Sequence, residues 1–463
     1  MTKRSDERLG TEPITSLMLR MAAPTLTAQL VNILYNMVDR IYIGHIPEVG
    51  SLAIAGLGLC APVLHLVTAF SDFVGRGGSP KAAIALGRKD REQAERVLGN
   101  GFIMLLFFSL VLTLGFQFFR RPILFAFGAG TDTIAYAEGY ISIYLCGTIF
   151  VMLTLGLNPF IVCQGRSRTA MFSVLIGAGI NVILDPIFIY GLNMGVKGAA
   201  LATVISQCLS TTWILCFLCS KRASLRLRLS RLRPDWTVMK QIASLGVSPF
   251  MMQATESMTG AVLNVGLKTY GGDLYVSALI VMDGIMRVGR VSVKGFNSGV
   301  QPIISYNYGA EKYDRVRGTI RRMVLIGVGF ESLYCAALML FPEVFARVFS
   351  DDPELTALVA GILPIFVCTL WMFGILSAVQ ASFLALSQAK QSMLIACIRK
   401  LVFLIPLSII LPRFWGVMSI YWAEPISDGI TAVVSVLLFL PVWRRLCADR
   451  PLDGKKKLKT AKE

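Results

Sequence analysis

The chain has 463 residues, 55% of them hydrophobic, with a mean hydropathy of +0.64 and a formal net charge of +17. Such apolar content excludes an ordinary soluble domain. The positive balance reads first as membrane topology and contact with anionic lipid, and it does not call for nucleic acid as a partner.

Twelve stretches are long enough to cross a hydrocarbon core, which takes about 20 residues rising about 1.5 Å each. They are 14–44, 53–86, 97–119, 133–156, 158–191, 195–219, 239–270, 274–308, 318–341, 355–386, 391–412 and 416–443. Strand-like alternation of that length is absent, which argues against a barrel. The expected organisation is a first lobe at 1–220, a basic cytoplasmic link at 221–240, a second lobe at 241–443 and a basic cytoplasmic tail at 444–463. The first dozen residues are polar and lead directly into a full span, so a cleavable signal peptide is not expected.

Ionisable groups at bilayer depth cost several kcal/mol, which makes each a functional candidate. Span one carries Asp39 and Arg40. Span two carries His65, Thr68, Asp72 and Arg76, at spacings that set all four on one helical face. Span five has Asn181 and Asp185 one turn apart, then Pro186, which removes a backbone donor and loosens the helix. Thr203 on span six can complete a polar pocket with them. Cys216 and Cys219 form a C-x-x-C without a partner cluster, so they and most of the ten cysteines read as small apolar residues, and no metal cofactor is expected. The link, Leu225-Arg226-Leu227-Arg228-Leu229 with Arg231, reads as an amphipathic strip on the headgroups or simply as a tether. Span seven has Glu256, and span eight has Asp283, Arg287, Arg290 and Lys294 on one face. Glu424 and Asp428 lie on span twelve. Arg40, Lys81 and Glu331 fall close enough to a membrane edge to snorkel and carry little weight.

If the N-terminus is cytoplasmic, and 390–400 is counted as a cytoplasmic loop, 33 of the 45 Lys and Arg residues face that side. Only 6 face the other side: Arg120, Arg121, Lys197, Lys268, Arg347 and Arg413. This bias predicts that both termini are cytoplasmic.

The chain also repeats. Pro24 and Asp39 recur as Pro249 and Asn264, 225 positions on, and Gly50, Gly77, Pro80 and Gly87 recur as Gly272, Gly299, Pro302 and Gly309, 222 positions on. Two like halves in a membrane usually place a transport site at their pseudo-symmetric interface. Under this shift His65 maps to Arg287, Thr68 to Arg290 and Asp72 to Lys294, so the two polar stripes are predicted to face one central cleft. The competing reading is local pairing. Asp72 with Arg76 and Asp283 with Arg287 are favourable i,i+4 pairs, which would leave Arg290 and Lys294 without a local partner. Asp39 and Asp185 form a second group: neighbouring carboxyls in a weakly hydrated bundle cannot both ionise cheaply and can exchange a proton near neutral pH. Either acid alone also fits a structural hydrogen-bonding role.

The run from Asn32 through Tyr35-Asn36 and Asp39-Arg40 to Gly44-His45 resembles the first-helix signature of multidrug and toxic compound extrusion (MATE) transporters. Asn181-Val182-Ile183-Leu184-Asp185-Pro186, Gly198-Ala199-Ala200, Gly299-Val300-Gln301-Pro302 and Glu424-Pro425-Ile426-Ser427-Asp428 are similar to the bacterial branch, in order over nearly the whole chain. The resemblance implies an all-α integral membrane protein, twelve transmembrane helices in two pseudo-symmetric six-helix bundles around a V-shaped central cavity. It implies no enzyme, no cofactor, and efflux of small organic molecules by alternating access, driven by inward proton or sodium movement. By position Asp39, Asn181, Asp185 and Thr203 match the N-lobe cation site of the DNA-damage-inducible branch. Glu256 matches an acid of the sodium-coupled branch, whose further aspartate falls at Ser377 here. N-lobe coupling by a proton is therefore expected ahead of sodium, which would use the same four residues. The departure from the resemblance is the basic lining. His65, Arg76, Arg287, Arg290 and Lys294 favour an anionic or zwitterionic substrate by complementarity, unless Asp72, Asp283 and Glu256 neutralise them and leave a cavity for cationic drugs. A flippase for lipid-linked saccharide is a further alternative. The expected setting is a bacterial plasma membrane, as a monomer in contact with lipid and a small-molecule substrate.

Overall fold

The computed structural model describes residues 5–228 and 232–452, and every regular element among them is helical. Residues 1–4, Leu229 and Arg231 of the link, and the tail from 453 onward lie outside the described residues. A short α1 (Ser5–Leu9) leads into α2 (Ile14–Gly44), α3 (Gly50–Gly87) and α4 (Arg91–Ala126), the first three spans. Span four is α5 (Ile134–Cys146) and α6 (Thr148–Val162), bent by 59°. Span five is α7 (Ser167–Pro186) with a π-helical turn at Ile187–Gly191, and span six is α8 (Val196–Cys219). The second lobe runs α9 (Trp236–Gly271), α10 (Asp273–Gly309) and α11 (Tyr313–Leu340), then the short α12 (Pro342–Phe349). Span ten is α13 (Pro353–Val367) and α14 (Leu370–Ala385), bent by 48°. Span eleven is α15 (Ala389–Cys397), a π-helical stretch Ile398–Leu404, α16 (Ile405–Ile410) and α17 (Pro412–Trp415), and α18 (Met418–Cys447) is span twelve.

Twelve helical spans in two bundles of six are thus present, and several boundaries shift, most of all where spans four and five meet. The fourth span was expected to end at 156, but it continues through Pro159 to Val162. The chain reverses at Gly165, whose φ of 76° is a left-handed turn conformation. Aspartates start several helices: Asp90 accepts from the Gln93 amide and Asp235 from those of Thr237 and Val238, caps worth about 1 kcal/mol each. Large apolar side chains such as Phe118, Leu333 and Leu437 stay uncovered on the outside, where lipid rather than protein is their solvent.

The lobes meet through glycine. A Cβ on Gly87 would lie 2.0 Å from the Tyr306 carbonyl oxygen, and one on Gly309 would lie 2.1 Å from that of Ile84. Gly77 packs on the α9 backbone at Gly246, and its counterpart Gly299 packs on the α2 backbone at Ala22. The repeat is therefore a packing symmetry: each lobe's second span lies against the other lobe's first. Backbones approach this closely only where side chains are missing. Toward the other ends of α3 and α10, Leu52, His65, Ile280 and Arg287 are exposed, so the cleft is open there.

The closed end is sealed further by α1. Asp6, 3% exposed, accepts from Ser224 Oγ at 2.7 Å and pairs with Arg91. The Leu9 and Gly10 carbonyls accept from Asn307, Arg315 and Lys312 of the second lobe. Over its described residues the link is not a strip lying free on the headgroups. Leu225 is fully buried and its amide donates to Gln164 Oε1 at 2.9 Å, while Arg228 pairs with Glu95.

Gly309→Ala should lower stability by about 1–3 kcal/mol through overpacking, seen as a lower Tm in detergent. Gly115→Ala, with open space around it, should be neutral or raise Tm, because alanine favours the helix by about 1 kcal/mol.

Candidate functional site

Span five brings the N-lobe acids together. Asp185 is fully buried, Asp39 is 8% exposed, and the two acids are electrostatic neighbours. Asn181 Nδ2 donates to Asp185 Oδ1 at 3.2 Å and to Thr203 Oγ1 at 3.4 Å. Tyr35 and Tyr140, which sequence reasoning did not single out, are electrostatic neighbours of Asp39. The pocket has a surplus of acceptors. Asp39 Oδ1, Asn181 Oδ1 and Asp185 Oδ2 are buried with no hydrogen-bond partner among the described residues. Three orphaned oxygens beside a hydroxyl fit a bound proton or a small hard cation such as sodium. The π-helical turn follows Asp185-Pro186 directly, and such turns release backbone groups where a helix must adapt.

The two predicted stripes do face one cleft. His65 on α3 has Arg287 on α10 and Glu256 on α9 as electrostatic neighbours. Two connected cavities, of about 250 Å³ and 120 Å³, lie between the lobes, and Asp72, Arg76, Ser298 and Gln301 line both. Thr25, Asn32 and Asn158 line the larger on the N-lobe side, and Glu256, Lys294, Phe373, Arg399 and Lys400 line the smaller.

The electrostatics of the second lobe differ from the sequence expectation. Arg290 is not a bare cation without a partner: it is largely buried, bonds Glu424 Oε1 at 2.5 Å and lies 3.9 Å from Asp283. Arg399 and Lys400, counted in sequence as loop cations, are inside the lobe on the π-helical stretch of span eleven. Arg399 forks onto Asp428 at 2.6 and 3.0 Å, and Lys400 holds Glu256 at 3.3 Å. The Phe373 ring lies against both guanidinium groups. Glu331, assigned in sequence to a membrane edge, is fully buried. Glu256 therefore sits in an ion-pair network away from the Asp39 pocket. At the position of the second sodium-site acid, Ser377 Oγ accepts from Asn297 Nδ2 at 2.8 Å. Asp72 and Arg76 pair at 2.9 Å, as do Asp283 and Arg287 at 3.7 Å. Of the four stripe residues on α10, Lys294 alone has no carboxylate within ion-pairing distance among the described residues. It is exposed to the cleft, with Glu256 as its electrostatic neighbour. The missed cations had a signal: two acids four apart on span twelve require counter-charges on whatever packs against them.

The MatE family model matches residues 24–187 and again 249–410, once in each lobe and in the register of the repeat. The multidrug export protein MepA of Staphylococcus haemolyticus (strain JCSC1435) is 26% identical over 434 residues, which is 94% of this chain and 95% of that protein. MepA of Staphylococcus aureus (strain NCTC 8325) is 23% identical over 94% of this chain and 96% of its own. Among solved structures, an outward-facing multidrug resistance MATE transporter of the MOP superfamily superposes with a TM-score of 0.88. It is 23% identical over 97% of this chain and 99% of its own. A MOP superfamily transporter from Pyrococcus furiosus, described by the reverse polarity of its binding pocket, superposes at 0.89 and 23% identity over 96% and 99%. With both lobes matched and nearly the full length covered, the chain belongs to the MatE family, membrane transporters and not enzymes.

Proposed function

We propose that this chain exports small organic molecules, drugs among them, across the plasma membrane by alternating access, coupled to inward movement of a proton at Asp39 and Asp185. The observation that carries the reading is the buried carboxyl pair, which together with Asn181 presents three orphaned acceptor oxygens. A shared proton satisfies that pair, while sodium would have to gather its oxygen ligands from the same four side chains, so the proton is favoured. The MepA relatives supply the class of substrate. Positive-inside counting puts both termini and the glycine-sealed end in the cytoplasm, so the observed cleft faces outward. A cation shifts the balance of the two lobe arrangements only by binding one of them more tightly. Asp39 on span one and Asp185 on span five are suited to this, because α2 also packs on α10 of the other lobe.

Substrate charge follows from the pairing. With Arg290, Arg399 and Lys400 committed to Glu424, Asp428 and Glu256, the cavity offers one uncommitted cation, Lys294, among polar amides and the Phe373 ring. That suits an amphipathic molecule with one anionic group, free or zwitterionic, better than a multiply charged phosphate, and it weakens the case for a flippase of pyrophosphate-linked lipid.

In proteoliposomes, Asp39→Asn or Asp185→Asn should cut efflux driven by a pH gradient by about 5–150-fold, the span of a typical coupling free energy, and leave substrate binding measurable. Intact gradient-driven efflux in either variant, or efflux driven by sodium and not by a pH gradient, would contradict the assignment. In a thermal-shift screen, Lys294→Ala should lose the stabilisation given by anionic and zwitterionic ligands and keep that of neutral ones. Arg290→Ala should instead cost about 3–5 kcal/mol of stability with any ligand, as removing one member of a buried ion pair does.

A further inference from the structure

Glu331 is used by none of the chemistry above. It sits near the middle of α11, fully buried, and both its carboxyl oxygens are without a hydrogen-bond partner among the described residues. An ionised carboxylate in that position would be steeply unfavourable. Its carboxyl group presses on α10 beside the arginine of the network: a Cβ placed on Gly289 would lie 3.2 Å from Glu331 Oε2. The next residue, Arg290, has its Nε buried and likewise without an acceptor among the described residues. An unused acceptor pair and an unused donor, electrostatic neighbours of each other, thus share one buried place while Arg290 spends its Nη groups on Glu424 and Asp283.

We propose that Glu331 is a second proton-binding site, in the C-lobe, at which the carboxyl exchanges its proton for the Arg290 guanidinium. In the observed arrangement Glu331 holds the proton and Arg290 is committed to Glu424. When the proton passes to water of the cleft, the carboxylate accepts from Arg290 Nε, and the guanidinium is drawn from Glu424 and Asp283. Glu424 is not then stranded, because Arg399 Nη2 stands 3.8 Å from it. The groups facing Glu331 are few. Arg290 comes from α10 and Tyr334 and Cys335 from α11 itself, with Cys368, at the bend between α13 and α14, behind Cys335. Glu424 of α18 acts through Arg290. α14 contains no charged residue, α13 only Glu354 in its first turn, the charges of α12, Glu343 and Arg347, are exposed, and α2, whose Ile14 meets Gly318 of α11, has Arg20 paired with Glu12 and carries Asp39 and Arg40 in its last two turns. One guanidinium therefore decides the charge state of Glu331. The net charge of the C-lobe network, and with it the attraction of Lys294 for an anionic substrate, changes by one unit with this proton. The position 222 residues earlier is Ser109, so the site belongs to one lobe, as the Asp39 pair does to the other, and it stands independently of the coupling assigned to that pair.

The test is pH-difference infrared spectroscopy of the full-length protein in lipid, read at the stretch of protonated carboxyl groups. A pH-dependent band should survive in an Asp39→Asn/Asp185→Asn double variant and vanish in Glu331→Gln, with about one fewer proton released per chain on raising the pH. Glu331→Asp should keep the band but move its frequency and midpoint, which guards against a Gln variant that folds poorly. A spectrum and proton count unchanged in Glu331→Gln would overturn the proposal. So would loss of every titrating band in the Asp39→Asn/Asp185→Asn variant.

Discussion

What organises this protein is the cost of holding ionisable side chains at bilayer depth. Each must be matched by an opposite charge or by a proton. The C-lobe network takes the first solution, whereas Asp39 and Asp185 of the N-lobe have no ion-pair partner among the described residues. In the C-lobe, Arg290, Arg399 and Lys400 meet Glu424, Asp428 and Glu256, and the Phe373 ring closes over the guanidiniums. In the N-lobe, Asp39 and Asp185 are neighbours beside Asn181 and Thr203, with Arg40 as an electrostatic neighbour of Asp39. That difference makes a symmetric scaffold chemically asymmetric.

The scaffold itself rests on bare backbone. Gly77 and Gly87 of α3, and Gly299 and Gly309 of α10, let the lobes touch at one end with almost no side chain between them. Such a contact has few interdigitated side chains to pull apart, so small biases can decide whether it holds. The α1 segment, with Asp6 toward one lobe and its carbonyls toward the other, adds polar bonds across the same seam.

Much of this was legible in the chain because hydropathy, periodicity and the repeat are all local or translational signals. They gave the twelve spans, the facing stripes and the N-lobe quartet. The internal pairing was not legible, because it depends on which helix face meets which across the bundle. Arg399 and Lys400 looked like a loop's cations because charge marks loops in most spans, and only the π-helical stretch and the acids of α18 explain how they lie inside. Glu331 was misplaced for a similar reason. Distance along the sequence suggested a membrane edge, but α11 is long enough at 28 residues to bury it well within the lobe.

Under the proposed coupling, cation occupancy of the Asp39–Asp185 pair sets which way the lobes lean. Pulsed electron resonance between spin labels at Glu48 and Asp273, on the exposed tips of the two lobes, measures that lean directly as pH is varied. The account predicts two distance populations whose balance shifts as pH is lowered, with the shift reduced or lost when Asp185 is replaced by Asn. A single distance that ignores pH, or a shift identical in wild type and variant, would contradict it.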